Sequence, residues 1–431
     1  MAVLRNQAAR FRQLLREPTS TTFLTNLAIM GAATLAGALS ARELGPAGRG
    51  ELTLMALWSL LIHIAGSLGL HSSCSYHVAR WPDRRAVLAG WFRRIAARQA
   101  IAMTAVSIGV LWWLHVHLRI GTLLTIEYTT WAAGATIGLY GVTYAQGTRD
   151  FARFNSARLI SGAMPAALML LGTLAPRLTP AEAGAAYLLP TWCGAALAVV
   201  WLRQGSRAAR GARLSRRELR SLWSYGRRSI ASLSSNLANT SADQYALGFL
   251  VPASSLGMYS AAASAVTPMP ALIASLGMVG LPEVTAMTGQ AKADSTWQTL
   301  RRAAFLLAVL APPCAAVLPW AIPLVYGARY AAAVVPAELL LVGACFAALT
   351  TAVDAMLQAH GFPGFACITQ GAGGVVTIAG TLLAGGQPLG FVALASSAGF
   401  IATFALAFTR LWLATRLSRR EPVAAIADSR I

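Results

Sequence analysis

Acid and lysine are the scarce residues of this sequence. Asp and Glu together number 15 against 35 Lys and Arg, so the formal charge is +20. Lys292 is the single lysine; every other fixed cation is arginine. Only 12% of residues are charged, about half the share of a water-soluble domain. Cysteine is sparse too. Cys74, Cys193, Cys314, Cys345 and Cys367 lie far apart, with no C-x-x-C pair and no Cys/His cluster of zinc spacing, so free thiols packed as small apolar groups are expected and no metal or cofactor. Period-two alternation is missing from the apolar runs, which excludes a transmembrane barrel.

What remains is apolar: 56% of residues are hydrophobic. Such a chain has too much greasy surface for water, but a bilayer accepts it if helices satisfy the backbone. A span needs about 20 mainly apolar residues. By this measure the first six spans are placed at Thr22–Ala41, Glu51–Ser72, Ala96–Leu118, Leu123–Gln146, Ala157–Ala175 and Ala183–Trp201. Six more follow at Ile230–Leu250, Leu256–Leu281, Ala303–Leu324, Ala333–Leu357, Phe365–Ala384 and Leu389–Trp412. Arg5, Arg10, Arg12 and Arg16 precede the first, which reads as an uncleaved signal anchor.

Arginine position sets the orientation. With the N-terminus inside, 30 of the 35 cations fall in or beside cytoplasmic connections. Arg42, Arg49, Arg119, Arg177 and Arg329 are left outside, as the positive-inside rule requires. Both termini are expected in the cytoplasm of a plasma (bacterial inner) membrane. The basic charge therefore marks orientation and contact with anionic lipid, and nucleic acid is excluded as a partner.

The longest basic stretch, 203–228, separates two sets of six spans. The expected organisation is a lobe at 1–203, a linker at 204–224, a second lobe at 225–415 and a tail at 416–431. In the linker, Leu214, Leu219, Leu222 and Trp223 share part of one helical face. This fits a short interfacial helix, or a loop that only sets topology. A weak repeat accompanies the division: Asn26-Leu27-Ala28 and Asn236-Leu237-Ala238 are 210 residues apart. Pro165 sits in span five, Pro268 and Pro270 interrupt span eight, and Pro312, Pro313 and Pro319 interrupt span nine. Such breaks serve either bending or static packing.

Three stretches are more specific. The first turn reads A-R-E-L-G-P-A-G-R-G-E-L, Ala41 to Leu52. Around span seven lies S-Y-G-R-R-S-I-A-S-L-S-S-N-L, then Asp243, L-G-F-L and S-S-L-G-M-Y-S-A-A-A-S. A later stretch reads A-I-P-L-V-Y-G-A-R-Y-A-A-A-V-V-P-A-E-L-L. These resemble the Wzx-type polysaccharide flippases, in the group that includes multidrug/toxic-compound exporters and lipid II flippases. Many Wzx-type members have fourteen spans against twelve here. The resemblance implies an all-α polytopic membrane protein of two six-helix lobes around a central cavity. It implies an undecaprenyl-pyrophosphate-linked oligosaccharide as cargo, and a polysaccharide polymerase or other assembly proteins as partners.

A diphosphate head cannot cross hydrocarbon unaided, because one charge at the midplane costs at least about 2.5–3.5 kcal/mol. Arginine suits phosphate, since its fork donates two parallel hydrogen bonds. Arg227 and Arg228 at the inner end of span seven are candidates for first capture. Arg158 in span five is a second site, and Arg42 and Arg49 are placed to hold or release the head outside. The competing role for each is topology signalling or lipid snorkelling. By depth, Asn26, Asn236, Asn239, Asp243 and Gln244 are cavity candidates. Asn236, Asn239 and Asp243 share one face of span seven, which faces either a watery cavity or another helix.

Acidic residues on spans seven and ten serve ion coupling in some drug exporters of the group. Asp243 and Asp354 fall on those spans, but at depths about 15 Å apart from a 1.5 Å rise per residue, so no shared ion site is expected. Glu283 and Asp354 are expected to pair with arginines at inner ends, and Glu127 and Glu338 to meet water at outer ends. His63 is mid-span, in a packing or a titrating role. A drug or metabolite exporter is the alternative reading. A glycosyltransferase or polymerase is disfavoured, because there is no D-x-D motif and the outer connections are short; a non-transporting scaffold is the last option.

Overall fold

The structure is a computed structural model that describes residues 18–174, 177–209, 212–270, 273, 284–285, 287–362 and 364–418. Arg5, Arg10, Arg12, Arg16, Glu283 and the tail beyond residue 418 lie outside the described residues. The regular structure of the described residues is all helical, with no strand among them. The chain divides into two compact units, Met1–Ala231 and Ser232–Ile431.

In the first unit, α1 (Pro18–Ser67) is two helices in one, because Gly45 takes φ 66° ahead of Pro46. A residue with positive φ breaks the helical course at little cost only when it is glycine. This G-P step therefore separates spans one and two. Then come α2 (Leu70–Arg80), α3 (Arg85–Leu118), α4 (Thr122–Thr129), α5 (Trp131–Thr148), α6 (Phe151–Gly172) and α7 (Pro180–Ser206). Thr179 and Glu182 form a capping box at the start of α7. Helix α1 packs on α6, α5 on α7, and α2 and α3 on α5.

Helix α8 (Arg216–Leu250) crosses the division between the units. The second unit adds α9 (Ala253–Val266), α10 (Gly289–Tyr326), α11 (Val334–Ala359), α12 (Phe365–Leu383) and α13 (Leu389–Ser418). Here α13 packs on α11 and α12, and α11 on α9 and α10.

Eight helical segments among the described residues are long and apolar enough to cross a membrane, the first containing both expected spans one and two. Twelve is thus an approximate count. Residues 271–272 and 274–281 of expected span eight lie outside the described residues.

Beside a buried apolar core, large apolar side chains also face outward and small polar ones lie inside. Ile101, Ile108 and Trp112 on α3 are exposed, as are Phe305, Trp320 and Leu324 on α10. Ser40, Ser59, Ser107, Thr125, Thr369 and Thr377 are buried between helices. Small polar residues let helices approach closely while lipid takes the large apolar ones.

Several expectations change. Expected span two breaks at Leu68 and Gly69, whose φ values are 50° and 65°. Gly226 of α8 explains it. A Cβ on Gly69 would lie 2.2 Å from the Gly226 carbonyl oxygen, so two backbones cross there with no room for a side chain. Expected span four divides at Thr130 into α4 and α5. Helix α10 runs on through Pro312, Pro313, Pro319 and Pro323, so these prolines do not interrupt span nine. The linker's apolar face forms no separate interfacial helix. Leu222 is buried in a core with Leu70, Cys74, Phe92 and Tyr140, and Leu214 and Leu219 pack against it. Leu214, Leu219 and Leu222 thus pack against protein while Trp223 stays exposed, and the basic segment from Arg216 onward forms the first turns of α8. Of the cysteines, all free, Cys74 alone is buried, while Cys193 and Cys314 are exposed.

Candidate functional site

The polar face of α8 opens on a cavity of about 420 Å³ within the second unit. Asn239, Asp243 and Gln244 line it, with Thr350 and Thr351 from α11 and Gln370 from α12. Asn239 and Asp243 are four residues apart, so one helical face presents both. The side chain of Asn236 lies outside the described residues.

Asp243 is buried, and hydroxyls answer its charge. The Tyr259 hydroxyl donates to Oδ2 at 2.5 Å, Ser396 Oγ donates to the same oxygen, and the Gln244 N–H donates to Oδ1 at 2.7 Å. Tyr259 and Ser396 also lie 3.1 Å apart, which closes a three-membered network. A buried carboxylate that accepts several donors is tolerated where an isolated one is not.

A second chain starts from Asn239, whose Nδ2 donates to Gln370 Oε1 at 2.6 Å. Gln370 Nε2 reaches Asp354 Oδ2 at 3.5 Å, which is a weak bond. Asn239 Oδ1 and Asp354 Oδ1 are buried with no partner among the described residues. Among the described residues Asp354 has no arginine at ion-pair distance, against the expectation. The polar group that helix α12 brings to it is the Gln370 amide.

Tyr259, Ser396 and Gln370 were not singled out in the sequence. A Gln within an apolar span is a signal that would find Gln370.

In the first unit the candidate residues are spread. Asn26 and Arg42 on α1 are exposed. Arg49 is half-buried, and its Nη1 donates to the Gly37 carbonyl at 3.2 Å and to Ser40 Oγ. It is held within α1 across the G-P step and ties the two halves of that turn. Arg158 is half-buried two turns into α6, its guanidinium 5.0 Å from the centre of the Phe154 ring. Among the described residues it has no carboxylate at ion-pair distance. Its neighbour Arg153 does, in Asp150, which also caps α6.

Arg227 and Arg228, about three turns into α8, are exposed. Arg228 lines a groove of about 880 Å³ with Tyr76, Arg80, Arg84, Arg217 and Tyr225. One wall is fixed by a bidentate pair, Arg84 to Glu218 at 2.9 and 3.0 Å. Glu218 also accepts the Ser215 N–H at 2.6 Å, and Ser215 Oγ accepts the Glu218 N–H, a capping box for α8. The Arg84 fork and this cap pull the Glu218 carboxyl down to about 2.

Glu127 does not simply meet water: it is half-buried, with Oε2 enclosed and no partner for it among the described residues. Glu338 is half-buried as well. His63 is buried, and its Nδ1 lies 2.7 Å from Thr136 Oγ1.

No family model and no curated protein matches the chain. Solved structures do. The inward-facing conformation of a multidrug resistance MATE family transporter of the MOP superfamily aligns over 90% of this chain and 96% of its own, at TM-score 0.74 and 14% identity. The chain shares the fold of that structure. The lipid II flippase MurJ, inward closed, aligns over 92% of this chain and 90% of its own, at TM-score 0.68 and 13% identity. A MOP superfamily transporter from Pyrococcus furiosus, described by a binding pocket of reversed polarity, aligns over 94% and 96%, at TM-score 0.58 and 15% identity. At these identities the likeness is one of fold. Within this fold, the Asp243 and Asn239 networks both belong to the second unit, whereas Arg49 and Arg158 belong to the first.

Proposed function

We propose that this chain is a flippase that carries an undecaprenyl-pyrophosphate-linked oligosaccharide from the inner to the outer leaflet of the plasma membrane, by alternating access, for polysaccharide assembly. Arg158 carries the reading. A half-buried arginine inside an apolar helix, resting on an aromatic ring and lacking a carboxylate, is costly unless water or an anion reaches it. A diphosphate supplies that anion, and the planar fork meets two of its oxygens at once. The Wzx-like turns and a fold shared with a lipid II flippase support the same class of cargo. Both termini lie in the cytoplasm, anionic lipids neutralise the basic inner face, and a polymerase receives the product.

A second reading, a drug or metabolite exporter, draws on a different observation. A buried carboxylate, Asp243, lines the 420 Å³ cavity of the second unit, and a cation would find its charge there. A fold shared with multidrug transporters supports it.

Proteoliposomes loaded with a fluorescent polyprenyl-diphosphate oligosaccharide separate the two. The flippase reading expects leaflet exchange that depends on the protein. Arg158→Ala slows it at least tenfold, and Arg158→Lys, which keeps charge but loses the fork, retains part of it. Efflux of a cationic dye without glycan exchange would establish the exporter instead.

A further inference from the structure

The groove between α2 and the first turns of α8 lies wholly in the first unit, and neither the cavity beside Asp243 nor Arg158 belongs to it. Four arginines line it, Arg80, Arg84, Arg217 and Arg228, against two carboxylates, Asp83 and Glu218. One carboxylate is already spent: the Arg84 fork and the Ser215 N–H occupy Glu218. Arg80, Arg217 and Arg228 have no carboxylate at ion-pair distance among the described residues.

Two of these three are held in place. Arg80 lies over the Tyr76 ring at 5.6 Å and donates to its hydroxyl. Tyr76 is braced in turn by stacking on Tyr225 at 4.5 Å. Arg228 Nε donates to the Ser224 carbonyl at 3.3 Å, which leaves both its Nη groups for another acceptor. Pinning a guanidinium beforehand removes much of the entropy it would lose on binding.

We propose that this groove binds a phosphate or diphosphate group. The group comes either from a lipid headgroup at the inner leaflet or from a soluble phosphate compound. The site stands independently of the flippase reading, since it rests on the groove's own charge and geometry.

The test uses the full-length protein in phosphatidylcholine nanodiscs, titrated calorimetrically with inorganic pyrophosphate. Saturable binding is expected, weakened at least tenfold by Arg217→Gln with Arg228→Gln. Arg220→Ala, on an exposed arginine outside the groove, leaves it unchanged. If the double variant misfolds, Arg217→Gln alone still weakens binding severalfold. Adding a polyprenyl diphosphate or phosphatidylglycerol to the nanodisc identifies the source: loss of pyrophosphate binding marks a lipid headgroup, and unaltered binding marks a soluble phosphate. Absence of saturable binding, or equal affinity in the folded Gln variants, overturns the proposal.

Discussion

Asp243 is held by a tyrosine and a serine rather than by a cation. Its Oδ2 takes two hydroxyl donors, from Tyr259 and Ser396. Removing one donor from a buried carboxylate leaves lone pairs desolvated, at a cost of about 1–3 kcal/mol. Tyr259→Phe is therefore expected to lower the Tm in detergent by several degrees. Ser264→Ala, which removes only a bond to the carbonyl of Ser260, leaves it nearly unchanged, because that carbonyl keeps its helical partner. Equal Tm values for the two variants would show that the hydroxyl network adds no stability. Asn239 differs in kind: with Oδ1 buried and no partner for it among the described residues, it has spare acceptor capacity, as a group facing a hydrated cavity would.

Helix α8 joins two tasks in one element. Its first turns carry the capping box and the Arg84 pair, and dock on the first unit through Leu222. Its later turns carry Asn239 and Asp243 into the second unit. The docking has a pH signature. The folded Glu218 carboxyl titrates at about 2, below its ordinary value of 4.5. A depressed acid contributes stability that is complete above the ordinary value and fades as pH falls toward the folded one. Wild type is thus expected to exceed Glu218→Gln in thermal stability at pH 6. The gap narrows progressively from pH 4.5 to 2. The margin is modest, because the pair is partly exposed and solvent screens it. A gap that does not vary with pH would mean that Glu218 acts through packing alone.

At the scale of the molecule, the arginine bias predicts which connections face the cytoplasm. Single cysteines at Arg177 and Arg220, in a background with all five native cysteines replaced by serine, test it. A membrane-impermeant maleimide added to intact cells is expected to label the Arg177→Cys variant and to spare Arg220→Cys until the membrane is opened. Labelling of both in intact cells would refute the orientation. The same bias makes the fold self-consistent: exposed apolar side chains on α3 and α10 belong to lipid, and buried serines and threonines sit where helices meet.

Hydropathy and charge bias are sums over neighbouring residues. For that reason the sequence alone determined the membrane class, the helices, their approximate number and the G-P break at Gly45. The three-to-four spacing on α8 also placed Asn239 and Asp243 together. Tertiary structure decided their partners. Tyr259 and Ser396 come to Asp243 from 16 and 153 residues away, and Gln370 to Asn239 from 131. It also decided the break at Gly69, where the backbone of Gly226 arrives, and the pairing of Arg84 with Glu218 across 134 residues. Each depends on which helices pack side by side, and no local window of the chain records that choice.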